Sequence, residues 1–202
     1  MACWHRRHNL GDEQPICSNK EYMEGLASDA DDGLEEIEDR VRVIENHWYC
    51  MKSKWKELAQ AYLDKRREDA ISNNYVILNL YLYDHSGITM NTSGFSCPWD
   101  SGQVGIIYAS KEKVIEEYGE WSAETVKKTR SHLKGEVETY SQFLEGDVHG
   151  YVIEDEDGDE IESCWGFFGE DDCIEEAKSA AKALRERHEK LELQDASLGC
   201  GT

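Results

Sequence analysis

Two hundred and two residues, 39% hydrophobic and 32% charged, with six Trp, ten Tyr and only two Pro, describe one folded domain, or one domain with an appendage. Forty-three acidic residues against 22 basic ones leave a formal charge of −21, which excludes phosphate-backbone binding as a whole-surface property, so no direct nucleic-acid contact is expected. No apolar run of about eighteen residues exists, so neither a membrane span nor a signal peptide is expected, and seven Cys, an odd number, fit a reducing cytoplasm better than a disulfide framework.

In chain order, the segment Cys3-Trp4-His5-Arg6-Arg7-His8 has no helical or strand periodicity. The next signal is a stripe through Leu34, Ile37, Val41, Ile44, Trp48, Met51, Trp55, Leu58 and Tyr62, spaced three and four, which predicts one long helix. Asp31, Asp32 and Gly33 mark its start, and Lys65, Arg66 and Arg67 suit its last turn. Two Trp are too bulky for a tidy two-stranded seam, so the stripe packs on the chain's own sheet or on one partner helix. The nearly continuous apolar run Tyr75–Tyr83 reads as a central strand buried on both faces, and Gln103–Tyr108 as a second strand. Ser110 caps a helix to Tyr118, and Ser122 caps another to about Leu144, broken or bent near Gly135. Asp147–Glu154 and Glu160–Phe167 flank Asp157-Gly158, a hairpin signal. A final helix starts at Asp171 or Asp172 and runs to about Leu191, with Ala177, Ala180, Ala181 and Leu184 inward. The expected fold class is α+β, an antiparallel or mixed sheet with packed helices and a long helical insertion. Residues 1–20 and 75–193 form the core domain, 21–74 the insertion and 194–202 a flexible tail, with no internal repeat.

The charge is segregated. Glu145–Glu176 holds fourteen acids and no Lys or Arg, two-thirds of the whole imbalance. Glu21–Glu45 has ten acids against Arg40 and Arg42, whereas Asn46–Asn74 has six basic residues against four acids. Such a pattern produces a directed field, beyond the generic solubility that acids confer.

Two regions carry candidate chemistry. Trp4, His5, Arg6 and Arg7 combine cations with an aromatic ring, so they either pair with internal carboxylates or hold an anionic ligand. Asp84–Gln103 reads as a long connection between strands, with Trp99 and Phe95 inside it. Asp84-His85-Ser86 is not a triad, since neighbouring strand residues point to opposite faces. The loop still offers His85 as a base and Ser86 or Cys97 as a nucleophile, though a packed, non-enzymatic loop is favoured. A partly buried guanidinium needs a carboxylate, so Arg6 or Arg7 is expected to meet Asp84 or Asp100, with the N-terminal segment packed beside the loop. Cys3, His5 and His8 lack a paired CxxC, and the run Asp155–Glu160 has its Gly at the fourth position of a calcium-like loop where the sixth is needed. No metal and no cofactor are expected.

Several of these segments carry a resemblance. Cys3-Trp-His-Arg-Arg7, Leu80-Tyr-Leu-Tyr-Asp-His-Ser-Gly-Ile-Thr-Met90, Phe95-Ser-Cys-Pro-Trp-Asp-Ser-Gly-Gln-Val-Gly105, Gly150-Tyr-Val-Ile-Glu-Asp155 and Ser163-Cys-Trp-Gly-Phe167 resemble a family of uncharacterised proteins of bacteriophages, plasmids and integrative elements. The likeness covers residues 1–15 and about 75–181 and brings no activity with it. It implies a protein made in a bacterial host's cytoplasm by an invading element, where small acidic proteins act against host defence. The leading expectation is an interaction protein whose carboxylates, Glu154, Asp155, Glu156, Asp157, Asp159 and Glu160 foremost, imitate a phosphate backbone toward a host protein with a basic surface. The alternative is a sequestering or hydrolytic site for a phosphate or nucleotide, formed by Cys3–His8 and Asp84–Gln103, with Trp4 or Trp99 stacked on a base and His5, His85 and Asp100 alongside. The oligomeric state is open at this level.

Overall fold

A computed structural model describes residues 1–47 and 53–198, and among them the fold is α+β. The order is β1 (Ala2–Cys3), α1 (Asn19–Ala30), α2 (Leu34–His47), α3 (Ser53–Asn74), β2 (Tyr75–Asp84), β3 (Ile88–Asn91), β4 (Ser101–Ser110), α4 (Lys111–Tyr118), α5 (Ala123–Glu145), β5 (Val148–Glu154), β6 (Glu160–Phe168) and α6 (Glu170–Leu198). A four-stranded sheet runs β1-β4-β2-β3, and β5 and β6 form a separate antiparallel pair. Two compact units result: Met1–Asp84 with Met90–Val137, and His85–Thr89 with Glu138–Thr202. The boundary falls inside α5.

In the first unit β4 pairs antiparallel with both β1 and β2. Val76, Leu78, Leu80 and Leu82 alternate along β2 and are buried. The opposite face of β2 is only partly covered, which corrects the expectation of burial on both faces. Tyr22 and Leu26 of α1 pack with Ala2, Ile77, Ile106 and Tyr108, whereas Asn79 beyond them is exposed and accepts a hydrogen bond from Gln103 Nε2 at 3.2 Å. One short helix cannot blanket a ten-residue strand.

The stripe expected as one helix is divided between α2 and α3, which pack on each other; Trp48 and Met51 lie outside the described residues. The buried seam joins Ala27, Leu34, Val41, Leu63 and Ala70, so α3 buries a face one step away from Trp55, Leu58 and Tyr62. Folding the helices together removes apolar groups of both from water, which a single extended helix cannot do. Lys65–Arg67 therefore sit mid-helix. Arg67 reaches Glu24 at 2.6 Å and Glu38 at 2.8 Å, and Arg66 pairs with Asp31, so these cations cross-link three elements where a helix-end role was expected. The helix α1 was not anticipated, although Ser18-Asn-Lys-Glu21 is a reciprocal capping box: Glu21 N donates to Ser18 Oγ, and Ser18 N donates to Glu21 Oε2 at 2.7 Å.

The remaining helices start as the sequence indicates. Ser110 Oγ accepts from Lys113 N, and Gly119 closes α4 in the left-handed region. Ser122 Oγ accepts from Thr125 N, and α5 continues through Gly135 as helix. In the second unit α6 packs on β5 and β6. Cys173 is buried and Ala177, Ala180 and Leu184 half-buried, while Ala181, expected inside, is exposed. The helix starts at Glu170 and continues to Leu198, past the Leu191 expected.

Candidate functional site

The N-terminal segment is an edge strand. Trp4 N donates to Val104 O at 2.6 Å and Cys3 N to Glu13 O at 3.0 Å. Two strand residues are too few to leave a periodic trace, which is why β1 has no signature in the sequence. The approach is close enough to require glycine opposite: a Cβ at Gly105 would stand 2.3 Å from Ala2 O.

After β1 the chain curls around His5. His5 Nδ1 accepts from Arg7 N at 3.4 Å and His8 N at 3.1 Å, and the His5 and His8 rings stack with centroids 4.9 Å apart. Burial, then the charges of His8 and Arg7, hold the His5 imidazole below its ordinary pKa. An accepting Nδ1 fits a neutral ring protonated at Nε2. This curl aims Arg7 outward, and its Nη2 lies 2.9 Å from Asp84 Oδ2, with His8 Nε2 3.3 Å from the same oxygen. The expected union of an N-terminal arginine with Asp84 is therefore present. Arg6 is exposed, with no carboxylate partner among the described residues.

Asp84 ends β2, and its N–H donates to Asp100 O at 2.9 Å, which brings two carboxylate-bearing residues to one end of the sheet. His5, Arg7, Asp84, Asp100 and Trp99 line a cleft of about 230 Å³ with Leu82 and Val104. Trp99 is 91% exposed. Gly102, one of the loop glycines that could offer a backbone donor, also lines it, as does Ser101, which has no distinctive type or spacing in the sequence. Two carboxylates stand against one guanidinium that Asp84 already engages, and the His5 ring is neutral near pH 7. That inventory opposes an anion.

The other candidates lie elsewhere. Trp4 is committed to the fold: Nε1 donates to Cys17 O at 2.7 Å and its ring meets Tyr22 edge-on at 5.4 Å. The connection expected as one long loop contains β3, so His85 and Ser86 form a tight β2–β3 turn, with Ser86 at φ +61°. Cys97 Sγ donates to Asp100 Oδ2 at 3.8 Å. Cys97 belongs to the first unit, and His85 and Ser86 to the second. Among the described residues, no three His, Cys, Asp or Glu side chains are grouped to hold a metal ion.

The second unit carries the acidic hairpin. Glu154, Asp155, Glu156, Asp157, Asp159 and Glu160 are all exposed. Asp155 Oδ1 accepts from Asp157 N at 3.0 Å and Asp159 N at 2.9 Å, and Gly158 N donates to Asp155 O, so the tip is an ordered turn. Further along β6, away from the tip, Trp165 is 71% exposed and lies over Gly150, its cross-strand partner, where a Cβ would stand 2.2 Å from the indole. Val148, Val152 and Ile161 are exposed on the same hairpin. Sequence reading did not single out Trp165 as a site residue, although a Trp directly followed by Gly166 within a strand is the available signal. Among the described residues no helix is long and apolar enough to cross a membrane. Comparisons with protein-family models, with curated proteins and with solved structures return no match.

Proposed function

We propose that this chain is an acidic interaction protein that presents the β5–β6 hairpin to a basic surface on a partner protein. The observation that carries the reading is the juxtaposition on one hairpin of an ordered tip with six exposed carboxylates and an exposed Trp165 with its apolar neighbours. An aromatic patch rimmed by like charges is a common form of protein interface: the ring supplies desolvated contact area and the charges steer encounter and choose the partner. Clustered carboxylates reproduce the sign of a phosphate backbone's field, so the fitting partner is a nucleic-acid-binding protein. The mobile-element resemblance supports a host defence protein as target and the bacterial cytoplasm as the setting. The reaction, in this reading, is competitive occlusion, with no bond made or broken.

The test is capture from nuclease-treated bacterial lysate, followed by binding kinetics for the captured protein. Replacing Glu154–Asp157, Asp159 and Glu160 by Ser and Asn is expected to slow association about 10- to 100-fold at low salt, an effect that fades as salt rises. Trp165→Ala is expected to raise the dissociation rate instead. Unchanged kinetics in both variants, or binding indifferent to salt, would sink the proposal.

A further inference from the structure

An ordered turn holds Trp99 at the cleft that Asp84 and Asp100 share. Ser101 Oγ donates to Cys97 O and Cys97 Sγ to Asp100 Oδ2, so the turn is closed from within, while the bond from Asp84 N to Asp100 O fastens it to the end of β2. The indole in this turn is almost wholly exposed and makes no ring or hydrogen-bond contact among the described residues, so it adds nothing to the core. Asp84 is only half committed. Its Oδ2 meets Arg7 and His8, whereas Oδ1 accepts no hydrogen bond among the described residues. Buried Leu82 and Val104 complete an apolar part of the lining.

Two carboxylates against one guanidinium make the lining net negative, so the cleft selects a cation. Its volume of about 230 Å³ lies below the roughly 300 Å³ at which pockets for whole small molecules begin, so it fits one group and not a nucleotide. A guanidinium uses every part of this lining: its flat face stacks on an indole, and its fork of N–H donors needs carboxylate oxygens. A lysine ammonium, compact and strongly hydrated, gains less from the ring. The chain holds a precedent, since Arg7 Nη2 lies 2.9 Å from Asp84 Oδ2: a guanidinium carried on a peptide segment reaches this carboxylate. Arg7 is largely exposed, and an ion pair of that kind is weak enough to shift aside or share its partner. We propose that the cleft binds the guanidinium of an arginine side chain presented by another protein, with Asp84 and Asp100 as acceptors and Trp99 as the stacking face. All of these residues belong to the first unit, so the inference is independent of what the hairpin binds.

Titration of the full chain with the peptide acetyl-Gly-Arg-Gly-amide at low salt, followed by NMR, tests it. The Trp99 indole N–H, assigned by its loss in Trp99→Phe, and the Gly102 amide are expected to shift together. The matching lysine peptide is expected to bind about 5-fold more weakly. Trp99→Ala should weaken the arginine peptide about 3- to 5-fold, and Asp84→Asn about 10-fold, the latter effect shrinking as salt rises. Arg7→Ala removes the cleft's own cation and is expected to tighten binding about 3-fold, the opposite of what an anion site would show. Unmoved Trp99 and Gly102 signals, equal binding of the two peptides, or weaker binding by Arg7→Ala overturns the proposal. Free L-arginine binding as tightly as the peptide overturns it too, by moving the source to a metabolite. Trp99 is exposed, so Trp99→Ala should melt with the parent, and it decides alone should Asp84→Asn unsettle the turn.

Discussion

Adding one methyl group at Gly105 is expected to destabilise the first unit by about 3 kcal/mol, while the same change at Gly102, on the same strand, costs nothing. The difference lies in what the new Cβ meets. At Gly105 it would stand 2.3 Å from Ala2 O and 3.0 Å from the Cα of Cys3, both backbone atoms that no rotamer change can move aside. Two escapes exist, and they cost alike. If β1 holds, the strands are forced apart, an overpacking strain at the upper end of roughly 1–3 kcal/mol. If β1 peels off, it forfeits the Trp4 N to Val104 O bond, the Ala2–Ile106 and Cys3–Gly105 pairing, and the burial of Ala2 and Cys3. At about 1 kcal/mol per hydrogen bond and a similar amount for the buried apolar area, that sum is again near 3 kcal/mol. At Gly102 the Cβ has nothing within 4 Å, and loss of unfolded-chain freedom favours alanine by a few tenths of a kcal/mol or more. A thermal melt of both variants reads the contrast: Gly105→Ala should fall about 6–12 °C and Gly102→Ala stay level or rise. A Gly105→Ala melt within about 2 °C of the parent, or an equal loss at Gly102, refutes the close-approach account of how the N-terminal segment is held.

Asp84→Ala removes the acceptor shared by Arg7 and His8. Arg7 is largely exposed, so the melt should move by no more than about 1 kcal/mol's worth, yet trypsin should cut after Arg6 and Arg7 several-fold faster in limited digestion; an unchanged cleavage rate would show that the ion pair does not hold the segment. His5 has a folded pKa below the unfolded value of about 6.5, so the unfolded chain takes up the proton first. Stability should decline as pH falls below about 6.5 and level off below the folded pKa, and His5→Asn, which keeps an acceptor but cannot titrate, should flatten that part of the melt-versus-pH curve. Burial pushes the Cys3 thiol up to about 11, and Cys173 is buried as well. Iodoacetamide at pH 8 with peptide mass mapping should therefore modify exposed Cys17 and Cys164 early and leave Cys3 and Cys173 intact until the chain unfolds; early labelling of Cys3 would contradict its burial.

Local chemistry made much of this chain legible before any tertiary contact is considered. Ser110 and Ser122 start α4 and α5 because a side-chain oxygen supplies the acceptor that a first turn lacks, and the Asp157-Gly158 pair turns β5 into β6 because glycine tolerates the positive φ. The run at Tyr75–Tyr83 announced a central strand, and the distribution of charge alone set apart the acidic hairpin. A capping box at Ser18–Glu21 encodes α1 as plainly as Ser110 encodes α4.

Other features depend on groups far apart in the chain meeting one another. The three–four stripe from Leu34 to Tyr62 is equally compatible with one helix or two, because periodicity records which face is apolar and not what covers it. Only packing decides that Leu63 and Ala70 are buried while Trp55 and Leu58 stay outside. Trp4 and Trp99 are alike as residues, and their opposite fates follow from a partner at Cys17 in one case and open water in the other. The Arg7–Asp84 pair spans 77 positions of sequence; its existence was inferable from the cost of an unpaired guanidinium, but the choice of Arg7 over Arg6 came from the turn that His5 Nδ1 folds around itself. Two backbone N–H groups gathered on one imidazole nitrogen thus determine which charge enters the cleft, and that coupling exists only once the strand beneath it is paired.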